Sequence, residues 1–461
     1  MEMQELFRRH KERAIQLRSS TASERIEKLE KFRSWIKKNR GAIQEALYLD
    51  FQKPPVETDL TEYYLVKAEI DLAIKDIKKW MKPNRVKTPL TLIGSRSSII
   101  LEPKGVCLII APWNYPFSLL AAPLVSAIAA GNTVFLKPSE ITKNTSKLIG
   151  QMIDNVFEKE EAIVFEGGIE TATELLKLPF DHIFFTGSPK VGKVVMEAAS
   201  KNLTSITLEL GGKSPNIIDE TANLVDAVEK IVFNKFLNAG QTCIAPDYVL
   251  IHSGVHDEFV SLLKNRIEKV YGENEKDLAG ISSKSHWNHL VGLLENAVNN
   301  GAKVVCGGDY NEEKTRLTPT VLTSISMEMA LMHDEIFGPI LPILKYESLD
   351  AAIKFINDKP KPLALYFYSR NKSSIKKVVS TTSSGGVCIN DGNIQFSNNY
   401  LPFGGVNNSG TGRSHGYFSF KSFSNEKAIL KQRIGHTSLK VLYPPYTKKV
   451  KKYVELLLKW L

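Results

Sequence analysis

Apolar positions recur at helical spacing through the first eighty residues. Thr21-Ala22-Ser23-Glu24 has the form of a capping box, and behind it Ile26, Leu29, Phe32 and Ile36 share one helical face. Gly41 interrupts the pattern, and a second helix is expected to run to about Leu49. Tyr63, Val66, Ile70, Ile74 and Ile77 mark one face of a long third helix. Pro83 and Pro89 close the helical region, and residues 90–103 read as extended with a turn at Gly94, like a projecting hairpin. The rhythm then changes. Short apolar runs at 106–110, 133–136, 162–165, 182–185 and 206–208 alternate with helical segments at 119–130, 145–157, 170–176 and 191–199. Such alternation predicts a parallel sheet covered by helices on both faces, with ligands at the carboxyl ends of the strands. Asn114, Lys137 and Gly187 fall on that edge. A second alternation begins near Asn216 and continues to Asn390, after which the chain is polar, Gly-rich and poor in helical signals. The expected fold class is α/β, with two doubly wound domains built on parallel-sheet cores and a cleft between them.

One stretch stands out chemically. The 225–236 helix is expected to break at Gly240, leaving Cys243 on a short loop of small and polar residues. A thiol there is reachable and can be activated to thiolate, although a lone cysteine is more often a buried structural residue. Glu209 lies at the end of an apolar strand before Gly211-Gly212, a setting that raises a carboxyl pKa and suits a general base, although a strand-end glutamate can equally point at solvent. Asn114 has a side-chain amide suited to donate to an oxyanion, and equally suits a turn before Tyr115-Pro116. Gly187-Ser188-Pro189-Lys190-Val191-Gly192 follows a strand and opens a helix; Pro189 occupies the middle glycine of a GxGxxG pattern, so a pyrophosphate at this helix start and simple packing both remain open. Gly211-Gly212-Lys213-Ser214 fails as a P-loop, because Thr207 stands where a glycine is required and Pro215 follows.

Residues 208–215 and 238–243 resemble the glutamate and cysteine signatures of the aldehyde dehydrogenases. Pro112-Trp113-Asn114-Tyr115-Pro116, Lys137-Pro138-Ser139-Glu140, Phe185-Thr186-Gly187-Ser188, Glu335-Ile336-Phe337-Gly338-Pro339 and Leu401-Pro402-Phe403-Gly404-Gly405 resemble further motifs of that family, in family order. The resemblance runs to about Phe423, and the short N-terminus and Pro444-Pro445-Tyr446 resemble the class 3, fatty-aldehyde branch. It implies oxidation of an apolar aldehyde (aliphatic, aromatic or isoprenoid) to the acid through a cysteine thiohemiacetal and thioester. It implies Cys243 as nucleophile, Glu209 as base, Asn114 as oxyanion donor, and Gly187, Ser188 and Gly192 at the dinucleotide. Lys137 and Glu140 would then meet the adenine ribose and Glu335 the nicotinamide ribose, with Phe337 nearby. NAD is the expected cofactor, with NADP as an alternative, since the Glu140 carboxylate repels a 2′-phosphate. The implied organisation is a dinucleotide-binding domain (1–80 and 104–209), a catalytic domain (210–390), an oligomerisation element (81–103 and 391–425) and an amphipathic C-terminal helix (440–461), in a homodimer. Pro189 and His333-Asp334 depart from the usual family residues. A CoA-acylating dehydrogenase and a non-catalytic binding protein on the same fold are the alternatives; Glu209 favours hydrolysis over the first.

Composition changes this picture little. Four cysteines without paired or metal-type spacing among 461 residues fit a reducing compartment, and no metal site is expected at His252, His256, His286 or His289. The first twenty residues lack the apolar run of a signal peptide, so a cytoplasmic location is expected. The net charge of +10 comes from dispersed lysines, which argues against a nucleic-acid partner. Charge matters most at the C-terminus. Val450, Tyr453, Val454, Leu457 and Leu461 share one helical face, and Lys448, Lys452, Glu455 and Lys459 lie opposite. Such a helix can rest on an anionic membrane, or pack over the substrate mouth or a partner subunit.

Overall fold

The computed structural model describes residues 3–272, 275–435 and 437–460. Two sheets carry the molecule. The first has parallel strands in the spatial order Ser205–Leu210, His182–Gly187, Val106–Ile110, Thr133–Lys137, Ala162–Val164, with the two-residue Gly410–Thr411 strand antiparallel on the outer edge of Ser205–Leu210. Chain direction across the sheet reverses between Val106–Ile110 and His182–Gly187, the kind of switch point where α/β sheets bind ligands. The second sheet has seven strands, parallel except for Lys303–Cys306 on one edge. The buried strand residues and the helices against both faces give the expected α/β fold.

Local chemistry accounts for many of the element ends. Thr21 accepts the Glu24 N–H and Glu24 accepts the Thr21 N–H, closing the predicted capping box of Ala22–Lys38. Asn223 caps Leu224–Phe236, and Ser188 caps Pro189–Ser200 with Pro189 in the first turn. Pro189 therefore serves as a helix starter whose missing N–H costs nothing there.

Several elements differ from the sequence expectation. Met3–Leu17 is a helix that the charged N-terminus concealed; it forms because Phe7 covers the outer face of the first sheet, its ring 6.0 Å from Phe135 and 5.3 Å from Phe180. The second helix, Arg40–Phe51, starts before Gly41, which sits harmlessly in its first turn. The polar tail contains an eight-residue strand, Ser424–Lys431, antiparallel to Arg96–Pro103, which also pairs with Asn84–Val86. That three-stranded sheet stands apart, and all but the first residue of Ser424–Lys431 are exposed, which hid its periodicity. The Lys448–Trp460 helix forms as expected; Leu461 lies outside the described residues.

Candidate functional site

Two cavities meet at Cys243 and Glu209. One is a narrow channel of about 50 Å³, walled largely by apolar side chains including Leu65, Leu119, Phe184, Phe396 and Phe403. The other is a cleft of about 710 Å³ that reaches Gly187, Ser188, Glu335 and Phe337. Thr186 and Leu210 also border both.

The turn that carries Cys243 is unusual. The Leu224–Phe236 helix ends at the expected Phe236, four residues before Gly240; Leu237 leaves the helical region, and Asn238, Ala239 and Gly240 are all left-handed, with φ of 55°, 52° and 74°. Non-glycine residues hold that conformation only where the surroundings enforce it. Here the Asn238 side chain donates to the carbonyls of Asn114 and Gln241, and the Gln241 side chain donates to the Asn238 and Gly280 carbonyls. Burial, reinforced by Glu335 and Glu209, pushes the Cys243 thiol well above its usual range, while its own N–H and that of Ile244 oppose the shift. Asn114 is buried, and its amide donates one hydrogen bond to the Gln241 carbonyl at 3.0 Å, leaving the second N–H of the same nitrogen for a ligand.

Glu209 is buried at the end of its strand and does not face solvent. Burial raises its carboxyl from the ordinary value to about 8, with Ser414 and Arg413 acting against the shift. Ser414 Oγ donates to Oε1 at 2.9 Å, and Oε2 has no hydrogen-bond partner among the described residues. Ser414 had no signal in the sequence; it arrives through the bridge it forms with Phe403.

The remaining predicted residues fall into two groups. Glu335 faces the cleft; burial first and Asp247 second hold its pKa well above the carboxylate range, with the Gly212 N–H, Lys213 and Lys235 acting against the shift. A Cβ at Gly211 would lie 2.0 Å from Glu335 Oε2, so only glycine admits that carboxyl. Phe337 has a left-handed φ of 56°, and its carbonyl accepts a hydrogen bond from His286 Nε2 at 2.8 Å. Burial lowers His286 to about 4, so the ring is neutral at pH 7 with its proton on Nε2. His286 also packs beside Trp113, with ring centres 5.2 Å apart. Lys213, in the stretch already excluded as a P-loop, donates to Asp247 and to the carbonyls of Leu331 and Asp334 at 2.8–2.9 Å, tying down the loop before Glu335. Lys137 and Glu140 lie apart from the cleft lining and pair with each other at 3.1 Å. Gly192 does not border the cleft either; a Cβ there would meet Leu210 at 2.8 Å, so its place is the close packing of helix on strand. No group of three or more potential metal ligands occurs among the described residues.

A dinucleotide fits this donor set. A wide cleft runs past the start of a twelve-residue helix to a buried carboxyl and an aromatic ring, groups of the kind that ribose hydroxyls and a nicotinamide ring need.

Parallel α/β sheets, a cysteine on an enforced turn and a buried glutamate beside a dinucleotide-sized cleft are features of an α/β oxidoreductase. Residues 2–429 match the aldehyde dehydrogenase family, and the chain belongs to it. It is 46% identical over 432 residues to the 4,4′-diaponeurosporen-aldehyde dehydrogenase of Staphylococcus aureus, covering 93% of each chain. It is 44% identical over 448 residues to aldehyde dehydrogenase family 3 member B3 of Mus musculus, covering 96% of this chain and 92% of the relative. The substrate-bound structure of Staphylococcus aureus AldH superposes with a TM-score of 0.95 at 43% identity, covering 99% of this chain and 100% of that one. The protein is thus an NAD(P)-dependent aldehyde dehydrogenase of the class 3 type.

Proposed function

We propose that the enzyme oxidises a long-chain, aromatic or isoprenoid aldehyde to its carboxylic acid, with Cys243 as nucleophile, Asn114 and the Cys243 N–H as oxyanion donors, and Glu209 as general base for hydrolysis. The junction of an apolar channel and a polar cleft at Cys243 and Glu209 carries this reading. The aldehyde enters by the channel and the thiol, once deprotonated, adds to its carbonyl carbon. The alkoxide formed draws on the free N–H of Asn114, a contribution of about 3 kcal/mol for one well-placed donor. NAD(P), when bound in the cleft, supplies the hydride acceptor. The thioester left on Cys243 is cleaved by water from which Glu209 removes a proton. A buried glutamate held for this task favours hydrolysis over transfer to CoA.

In the cleft, Gly187, Ser188 and the helix start at Pro189 would hold the pyrophosphate, and Glu335 and Phe337 the nicotinamide end, with Gly192 serving through packing. Lys137 and Glu140, paired with each other outside the cleft lining, would meet the adenine ribose where the dinucleotide extends past that lining. A carboxylate at Glu140 favours NAD over NADP, by repulsion of a 2′-phosphate. Gly211→Ala is expected to raise the KM for NAD by about tenfold by displacing Glu335, with the rate of Cys243 alkylation held within about twofold. Steady-state titration with NAD at saturating aldehyde checks it.

The three-stranded sheet with its exposed Ser424–Lys431 edge suits pairing with a second copy, and a homodimer is the proposed assembly. All four cysteines are free, in keeping with a reducing compartment such as the cytoplasm. None of the described residues of the Lys448–Trp460 helix lines either cavity, and Tyr453, Val454, Leu456 and Leu458 are exposed. No described helix is long and apolar enough to cross a membrane. Its uncovered apolar side and the lysines at 448, 449, 451, 452 and 459 suit peripheral contact with an anionic membrane surface.

A single experiment tests the substrate and membrane readings. The full chain and a chain ending at Tyr446 are assayed on short, long, aromatic and isoprenoid aldehydes with NAD and with NADP, and co-sedimented with phosphatidylglycerol-rich vesicles at low and high salt. The full chain is expected to favour long apolar aldehydes and to sediment at low salt only. Truncation is expected to abolish sedimentation and, with the aldehydes presented in those vesicles, to raise the KM for long aldehydes several-fold. Equal turnover of short and long aldehydes would overturn the substrate class, and unchanged sedimentation would remove the helix from membrane contact.

A further inference from the structure

Beside the Cys243 turn lies a cluster of buried charge that the chemistry described above leaves unused. Lys53 and Glu62 are fully buried and paired at 3.1 Å. Neither they nor the partly buried Glu57 line either cavity. Each nevertheless reaches the catalytic segments. Glu57 accepts the Asn238 N–H at 2.9 Å, at the first left-handed residue of the turn. Glu62 accepts the Ser118 N–H at 2.7 Å, at the start of the Ser118–Ala130 helix that follows Asn114. Lys53 Nζ lies 4.0 Å from the centre of the Tyr115 ring, and the Tyr115 hydroxyl shares a 2.6 Å hydrogen bond with Thr242 Oγ1. Thr242 immediately precedes Cys243, and Tyr115 immediately follows Asn114.

The local backbone is built for this. Asp59–Tyr63 is a π-turn between the Pro55–Thr58 and Tyr64–Trp80 helices. A π-turn alters the rotation of the residues around it, and such turns concentrate at functional sites. A turn of three consecutive left-handed residues needs restraints from outside itself, and the Glu57 side-chain oxygen supplies one at the Asn238 N–H. Lys53 pairs directly with Glu62, while burial raises the Glu57 carboxyl to about 7 against the pull of Lys53 and the Asn238 N–H. Burial lowers the lysine pKa, and Glu62 and Glu57 act in the opposite direction.

We propose that Lys53, Glu57 and Glu62 form an ionic brace that fixes the Cys243 turn against the Asn114–Tyr115 segment. They are positioning residues for the addition of the thiol to the aldehyde. The brace holds the turn through Glu57 at Asn238 and through Lys53 and Tyr115 at Thr242, while Glu62 holds the far end of the Asn114 segment at Ser118. The nucleophile and the oxyanion donor thereby keep one geometry. This inference rests on Cys243 being the nucleophile.

The test uses full-length Glu57→Ala, Glu57→Gln, Lys53→Met and Tyr115→Phe, each checked for native circular dichroism. Three quantities are read: the rate of iodoacetamide alkylation at Cys243, located by peptide mass; the pre-steady-state burst of NADH; and the KM for NAD. In Glu57→Ala, alkylation and burst rates are expected to fall about tenfold while the KM for NAD stays within about twofold. Glu57→Gln keeps an oxygen acceptor for the Asn238 N–H and is expected to recover most of the loss. A folded Glu57→Ala enzyme with a lowered Tm but unchanged alkylation and burst rates would show a merely structural role and overturn the brace. If Lys53→Met does not accumulate as folded protein, Glu57→Ala and Tyr115→Phe decide the matter. A burst retained by Cys243→Ala would overturn the nucleophile reading as well; an inert Cys243→Ala beside an unperturbed Glu57→Ala would overturn the brace alone.

Discussion

Cys243→Ala is expected to abolish aldehyde oxidation, a loss of at least about a thousandfold, with the Kd for NAD unchanged within about twofold. An aldehyde has no hydride to release until a heteroatom has added to its carbonyl, so the thiol is a reagent and its removal leaves no first step. The same side chain borders the large cleft, but the groups there suited to hold a dinucleotide are Gly187, Ser188, Glu335 and Phe337. Rapid mixing with saturating NAD and aldehyde reads the first quantity, and quenching of protein fluorescence by NAD reads the second. Activity near that of the unaltered enzyme would end the thiohemiacetal mechanism. Substitution of Cys306 or Cys388 is expected to leave kcat within about twofold, because neither borders either cavity. The fully buried Cys107 to Ala is expected to cost stability and leave the chemistry intact.

Glu209→Gln is expected to lower steady-state turnover by about a hundredfold or more while leaving a rapid NADH burst of one equivalent per active site. The glutamine fills the same space and cannot take a proton from water, so acylation proceeds and the thioester accumulates. Parallel loss of burst and steady rates, without an acyl-enzyme detectable by mass, would sink the assignment. The pH profile gives a second measurement. With its carboxyl raised to about 8 by burial, Glu209 is largely protonated at neutral pH, and the basic form appears as pH rises through 8. Hydrolysis in the unaltered enzyme is therefore expected to climb through that range and level above it, and Glu209→Gln is expected to lose the limb. The stability linkage has the opposite sign. The folded protein holds a proton here that the unfolded chain, near 4.5, gives up, so this group's contribution to stability is full below 4.5 and is lost as pH rises through about 8. The pH dependence of Tm should be correspondingly flatter in Glu209→Gln.

Features set within a few residues were legible in the chain itself. The alternation of strand and helix, the Thr21–Glu24 box, the loop position of Cys243 and the apolar strand around Glu209 all follow from side-chain period and turn chemistry, which act over short distances along the backbone. The order of motifs added the roles that resemblance implies. Tertiary structure alone decided the rest. The Met3–Leu17 helix exists because a sheet face made by residues far along the chain needs covering. Ser414 meets Glu209 across 205 positions, and Glu57 meets the Asn238 N–H across 181. Nothing beside Ser414 or Glu57 in the sequence foretells either partner. The sequence excluded a P-loop at Lys213 but could not name its partners, Asp247 and the carbonyls before Glu335, because they come from other loops. A hydrogen bond depends on where two atoms lie in space. Buried charge in particular declares its purpose only through the groups that repay its desolvation, and folding brings those from anywhere in the chain.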